Sequence, residues 1–97
     1  MDKKNTVTQE QIDALVNEGK MTVLNLDSKT TMVKLDLKNG WTMVETSSCV
    51  DPKNYDVELG KSICIERIKN KLWELEGYRL QWKLFDEHVL NKILQTR

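Results

Sequence analysis

The stretch "TMVKLDLKNGWTMVET" (residues 31–46) decides the fold. Its first half alternates, with Val33, Leu35 and Leu37 on one side of an extended chain and Lys34, Asp36 and Lys38 on the other. That is the period of a half-buried β-strand. Asn39-Gly40 follows, a strong hairpin signal, because both central residues of a type I′ turn need positive φ. A two-residue turn pairs Lys38 with Trp41, Leu37 with Thr42, Asp36 with Met43, Leu35 with Val44 and Lys34 with Glu45. The expected core face is then Val33, Leu35, Leu37, Thr42, Val44 and Thr46. The other face carries Lys34, Asp36, Lys38, Trp41, Met43 and Glu45, and is either solvated or offered to a partner.

Towards the N-terminus, "MTVLNL" (21–26) reads as a preceding strand and "DSKT" (27–30) as its turn. Thr8 opens a capping box, T-Q-E-Q, in which its hydroxyl takes the Gln11 amide and the Gln11 side chain reaches back. Ile12, Leu15 and Val16 then recur at helical spacing up to Gly19, a C-terminal cap. Residues 1–7 read as a frayed start.

Beyond the hairpin, "SSCVDPKNYDVELG" (47–60) is a connector with helix-start chemistry: Asp51-Pro52, then Asn54, Asp56 and Glu58. From about Tyr55 the period is helical, with Val57, Cys64, Ile68, Leu72, Leu75 and Trp82 near one stripe, joined by Ile65 and Tyr78. Leu72 and Trp73 should point inward, and Lys71, Glu74, Glu76 and Arg79 outward. Gly60 and Cys64 would admit a close backbone approach, and Gly77 weakens the helix. Phe85, Val89, Leu90 and Ile93 form a face of their own. A helix of about 40 residues spans roughly 60 Å, against about 26 Å for twice the radius of gyration of a compact chain this long. It must break near Gly77 or Asp86, or pack its far end on another copy. Both options point to a dimer or larger homo-oligomer. The expected fold is α+β: a short N-terminal helix, a three-stranded antiparallel β-meander and a long, continuous or broken, C-terminal helix.

Ninety-seven residues with 39% apolar and 31% charged side chains make one folded domain. Fifteen basic residues balance fifteen acidic ones, which argues against a nucleic-acid coat. Cys49, Cys64 and His88 do not make a zinc site, and no cofactor is expected. No segment approaches the roughly 20 apolar residues of a membrane span, and "MDKKNTVTQE" is no signal peptide. A cytoplasmic protein with reduced thiols is expected.

Catalytic chemistry is poorly provided for. One histidine leaves a hydrolase triad without a base and its orienter, and no Gly-rich phosphate loop appears. Cys49, beside Ser47 and Ser48, reads as a small packed residue flanked by capping hydroxyls. Binding chemistry is better supplied. The 47–54 connector brings Ser47, Ser48 and backbone amides to a helix start, an arrangement suited to an anion. Lys53 and Lys61 are close in sequence, Lys38 and Trp41 mark the hairpin tip, and Tyr78 could stack on a base. These seven residues are the candidate ligand set.

The ordered pieces "VTQEQIDALV" (7–16), "LKNGWTMV" (37–44), "SSCVDPKNYD" (47–56), "ELGKSI" (58–63) and "NKLWELEGYRL" (70–80) resemble a family of small tailed-phage proteins. The family is typified by the gene-forty-nine product of phage N-four and the gene-sixty-six product of phage Sf-six. Ser48, Cys64 and Ile68 stand where that family usually has Ala, and Glu45 where it often has Gly. The resemblance implies an accessory protein at work in the host bacterial cytoplasm, and brings no established general activity with it. The resulting expectation is stoichiometric binding: sequestration of a nucleotide immune signal, of cyclic dinucleotide or cyclic ADP-ribose type. The alternatives are inhibition of a host protein through the sheet face and, more weakly, a DNA-binding accessory role.

Overall fold

The hairpin closes through three residues, not two. In the computed structural model, which describes residues 5–95, the Leu37 amide donates to the Trp41 carbonyl (2.8 Å) and the Gly40 amide to the Leu37 carbonyl (2.9 Å). Lys38, Asn39 and Gly40 form the loop. Gly40 alone has positive φ, at 94°, and no described non-glycine residue does, so the type I′ turn is not made. This is the three-residue loop in which a left-handed glycine forms a bulge beside the first strand pair.

One extra loop residue shifts the register by one. Strand β2 (Thr30–Asp36) pairs antiparallel with β3 (Thr42–Ser48) as Asp36 with Thr42, Leu35 with Met43, Lys34 with Val44 and Val33 with Glu45. A one-residue slip turns every β3 side chain to the opposite face. The expected inward set of Thr42, Val44 and Thr46 therefore lies outside, and Met43, Glu45 and Ser47 face inward. Met43 is buried and Val44 exposed. Strand β1 (Lys20–Asn25) joins the other edge of β2, pairing Met21 with Leu35 and Val23 with Val33, which gives the order β1-β2-β3.

The α+β architecture is as expected, with a short helix α1 (Gln9–Glu18) before the meander and a long α2 (Val57–Gln95) after it. Between β3 and α2 lies a single 3-10 turn, Pro52–Asn54. Helix α1 starts where Thr8 accepts the Gln11 amide at 3.2 Å. The Gln11 side chain does not reach back to complete the box. It donates instead to Glu76 on α2, at 3.3 Å, one of the contacts that dock a helix too short to persist alone. Lys69 on α2 adds an ion pair to Asp13 at 3.0 Å. Gly19 ends the helix with φ −83°, not left-handed. Its small size is what matters, because a Cβ there would meet Leu35 at 2.8 Å and the Asp36 carbonyl at 2.9 Å. Val7 packs against the core, so the frayed start does not extend to it; residues 1–4 of that segment lie outside the described residues, as do 96 and 97 of the tail.

Helix α2 crosses β2 and β3. Its buried stripe is Gly60, Cys64, Ile68, Leu72 and Glu76, one residue every four, closing on Val33, Leu35, Leu37, Met43 and the α1 residues Ile12 and Val16. Val57, Leu75, Tyr78 and Trp82, expected on that stripe, are exposed. The stripe runs in steps of four along the sheet, and the sheet ends at Glu76. At Gly60 the backbone comes so close that a Cβ would sit 2.6 Å from the Thr31 hydroxyl. That hydroxyl, fully buried, is 2.7 Å from the Tyr55 hydroxyl. Arg67 donates to the Thr46 carbonyl at 2.7 Å and Lys71 pairs with Glu45, so two cations fasten the helix along β3.

The helix is unbroken through Gly77, where no atom lies within 4 Å of an added Cβ. Its 39 residues make a rod of roughly 58 Å. The molecule measures 69 × 28 × 21 Å, with a radius of gyration of 18.6 Å, against about 13 Å for a compact chain of this length. The last four turns stand clear of the sheet.

Substitution on neighbouring β3 positions reads the register directly. Met43→Ala should cost about 2–4 kcal/mol and Val44→Ala less than about 1 kcal/mol in urea unfolding; equal costs would contradict the three-residue loop. On the helix, Gly77→Ala should add about 1 kcal/mol. Gly60→Ala should remove about 1–3 kcal/mol through contact with Thr31.

Candidate binding groove

The bulged loop sets Trp41 on the helix side of the sheet, opposite Leu37, with its ring about half exposed at 55%. Asn39 Oδ1 accepts the Trp41 amide at 2.9 Å and holds the loop in shape. Lys38 reaches Glu18 at the end of α1, 2.7 Å away, and so ties the hairpin tip to the first helix. Between tip and rod lies an open groove of about 240 Å³. Leu15, Leu37, Leu72 and Leu75 form its apolar floor, Trp41 one wall, and Glu76 and Arg79 the opposite rim. A second hollow of about 380 Å³ opens on the other side of Trp41, towards Val44, Lys71 and Glu74. The indole is thus a partition with accessible surface on both sides.

The rim is charged in a defined way. Glu76 is buried and accepts from Gln11, and Arg79 Nε lies 3.3 Å from its Oε2. The Arg79 side chain is otherwise largely exposed, which leaves guanidinium N–H groups for a bidentate acceptor. A buried carboxylate needs such partners. Glu76, expected outward, and Arg79, expected to be only a solvated charge, are the residues that sequence reasoning missed. They follow Leu72 at helical spacing, but only the true hairpin register places Trp41 across from them.

The seven candidate ligand residues do not come together. Lys38 and Trp41 are at the hairpin tip, and Tyr78 is one turn beyond Leu75 on the rod. Ser47 and Ser48 end β3, about 23 Å away at ~3.3 Å per strand residue. Ser48 is occupied with Thr30 (2.8 Å between hydroxyls). The hollow beside Ser47 and Ser48 measures only about 80 Å³, and neither Lys53 nor Lys61 lines it. The backbone amides expected to receive an anion are already taken by carboxylates. Asp51 accepts from Lys53 N at 3.0 Å, and Asp56 from Glu58 N and Leu59 N at 3.0 and 3.2 Å. A helix start capped by its own aspartates repels a second anion.

The cysteines have settled environments. Burial pushes the Cys64 thiol up, away from the reactive thiolate, and its sulfur points to the Thr31 carbonyl. Cys49 donates to the Asp51 carbonyl at 3.3 Å, and His88 is far along the rod. Among the described residues no group of three or more His, Cys, Asp and Glu could hold a metal ion, and no helix is long and apolar enough to cross a membrane.

A three-stranded meander clamped by a projecting helix defines the class: a small α+β protein with an open, aromatic-walled groove at its hairpin tip. The family model described as Phage protein (N4 Gp49/phage Sf6 gene 66) matches residues 7–84. The chain belongs to that family of phage proteins. No curated protein and no solved structure matches it.

The tip also carries a readable titration. The Thr42 hydroxyl donates to Asp36 at 2.7 Å. That bond, ahead of the nearby Lys34 charge, lowers the Asp36 carboxyl below its usual value, and hydrogen bonds from Gln9 and then Lys69 lower Asp13 likewise. A depressed folded-state value means the associated stability is present above the unfolded value of about 4 and is lost as pH falls through the folded one. Thr42→Val should therefore raise the Asp36 midpoint, as read by side-chain carbon NMR, and soften the acid limb of unfolding. An unmoved midpoint would assign the shift elsewhere.

Proposed function

We propose that this phage protein acts in the host cytoplasm by stoichiometric, non-catalytic binding, and that the ligand is a nucleotide immune signal of cyclic dinucleotide or cyclic ADP-ribose type. One observation carries the reading: a groove with an aliphatic floor, an indole wall and a guanidinium at its mouth. Trp41 offers a stacking face for a base, worth about 1–3 kcal/mol per base in comparable sites. Arg79 offers a fork for a phosphate or ribose oxygen. The groove replaces the connector as the capture site, since it supplies an accessible aromatic and a cation where the connector supplies carboxylates. At about 240 Å³ it holds one nucleoside unit, below the roughly 300 Å³ at which drug-sized pockets begin.

Inhibition of a host protein remains the second reading, favoured by a different surface from the one expected. Trp41 and Met43 lie on the helix side, so the outer sheet face now presents Leu24, Met32 and Val44 between threonines and the Lys34–Asp36 pair.

Calorimetric titration of cyclic dinucleotides and cyclic ADP-ribose isomers should give saturable heat, and Trp41→Ala should weaken it about tenfold or more. Absence of heat with every nucleotide would remove this ligand class. Recovery of a host protein in equimolar amount from lysate would transfer the function to the sheet face.

A further inference from the structure

Past Glu76 the rod has lost the sheet but not its apolar side. Leu75, Tyr78, Trp82, Phe85 and Val89 follow one another at steps of three and four, the a/d spacing of a two-helix seam. None is buried; Tyr78 is 66% exposed, Trp82 50% and Phe85 53%. Their rings are already ordered as a ladder, Tyr78 to Trp82 at 6.4 Å and Trp82 to Phe85 at 5.7 Å, both edge-to-face. A helix kept amphipathic for four turns beyond its own domain has its apolar stripe ready for another helix.

We propose that this seam pairs with the same seam of a second copy, and that the two rods run antiparallel. The charges flanking the seam select the occupant and its direction. Arg79 and Asp86, seven residues apart, lie along the same edge of the seam. Antiparallel pairing about the Trp82–Phe85 layer sets Arg79 of each chain across from Asp86 of the other. Parallel pairing makes no Arg79–Asp86 contact, since the corresponding edges of the two seams then lie on opposite sides. It also brings two hairpin tips to the same height, where Trp41 already stands beside Leu75. In the antiparallel arrangement Trp82 packs on Phe85 of the second copy and Tyr78 on its Val89, while the two sheets sit at opposite ends.

The area is sufficient. Burying the exposed halves of three aromatics, with Leu75 and Val89, removes on the order of 500 Å² per chain and 1,000 Å² for the pair, the lower bound of a specific interface. A concentration-dependent dimer follows; it shares Leu75 and Arg79 with the groove but needs neither Trp41 nor a bound nucleotide, so it does not rest on the nucleotide reading.

Sedimentation equilibrium of the full chain should show mass rising with concentration to twice 11.3 kDa. The double variant Trp82→Glu/Phe85→Glu should weaken association about 100-fold while circular dichroism stays unchanged, because neither side chain touches the core. Direction is read by oxidation in a Cys49→Ser background. A mixture of Tyr78→Cys and Val89→Cys chains should cross-link, and Val89→Cys alone should not. A wild-type chain monomeric up to about 1 mM, a double variant that still dimerises, or efficient cross-linking of Val89→Cys with itself would each overturn the proposal.

Discussion

The left-handed backbone of Gly40 is the constraint on which the other contacts rest. With Gly40 at φ 94°, the loop takes three residues, and the bulge sends Met43, Glu45 and Ser47 to the same side as Leu35 and Val33. Met43 then joins the core, and Glu45 meets Lys71 across the interface. Trp41 is turned toward α2 instead of away from it. A two-residue loop on the same strands would have buried Val44 and left Trp41 and Met43 on the open face, with no groove at the tip. The function proposed for the groove therefore descends from one backbone conformation.

Where the helix lies against the sheet is decided by size more than by hydrophobicity. The stripe on α2 begins at Gly60, which the fully buried Thr31 needs as a neighbour without a Cβ, and continues through Cys64 to Ile68 and Leu72. Small residues at one end and large ones at the other tilt the rod across β2 and β3. Arg67 and Lys71 hold it along β3 by bonds to a carbonyl and a carboxylate. Both cations are exposed, so these bonds add little energy and serve mainly to fix position. Most of the stabilisation must come from the apolar stripe. This leaves β1, the edge away from the rod, with a half-open Val23 and an exposed Leu24.

The aspartates illustrate how a chain can use up its own anion sites. Asp51 and Asp56 cap two successive starts, at the 3-10 turn and at α2, and thereby close the connector to phosphate. The cation beside the groove is on the rod, at Arg79, paired through Nε with Glu76 but otherwise exposed, next to the aromatic ladder. Groove and projecting arm thus occupy adjoining turns of one helix.

Much of this was legible in the residues alone. Alternation in 31–37, the capping hydroxyl of Thr8 and the long helical period after Tyr55 specify the elements and their order, because strand and helix periods are local properties of the chain. Asn39-Gly40 announced a hairpin but not its loop length, since both loop types tolerate that pair and differ only in which residue is left-handed. The face of β3, the burial of Glu76 and the place of Trp41 depend on that choice and on where the sheet stops. The continuity of α2 past Gly77 was likewise undetermined, because one glycine weakens a helix without ending it. Sequence specified what each segment is. Tertiary packing decided which side each segment shows, because facing is set by register and by the reach of neighbouring elements.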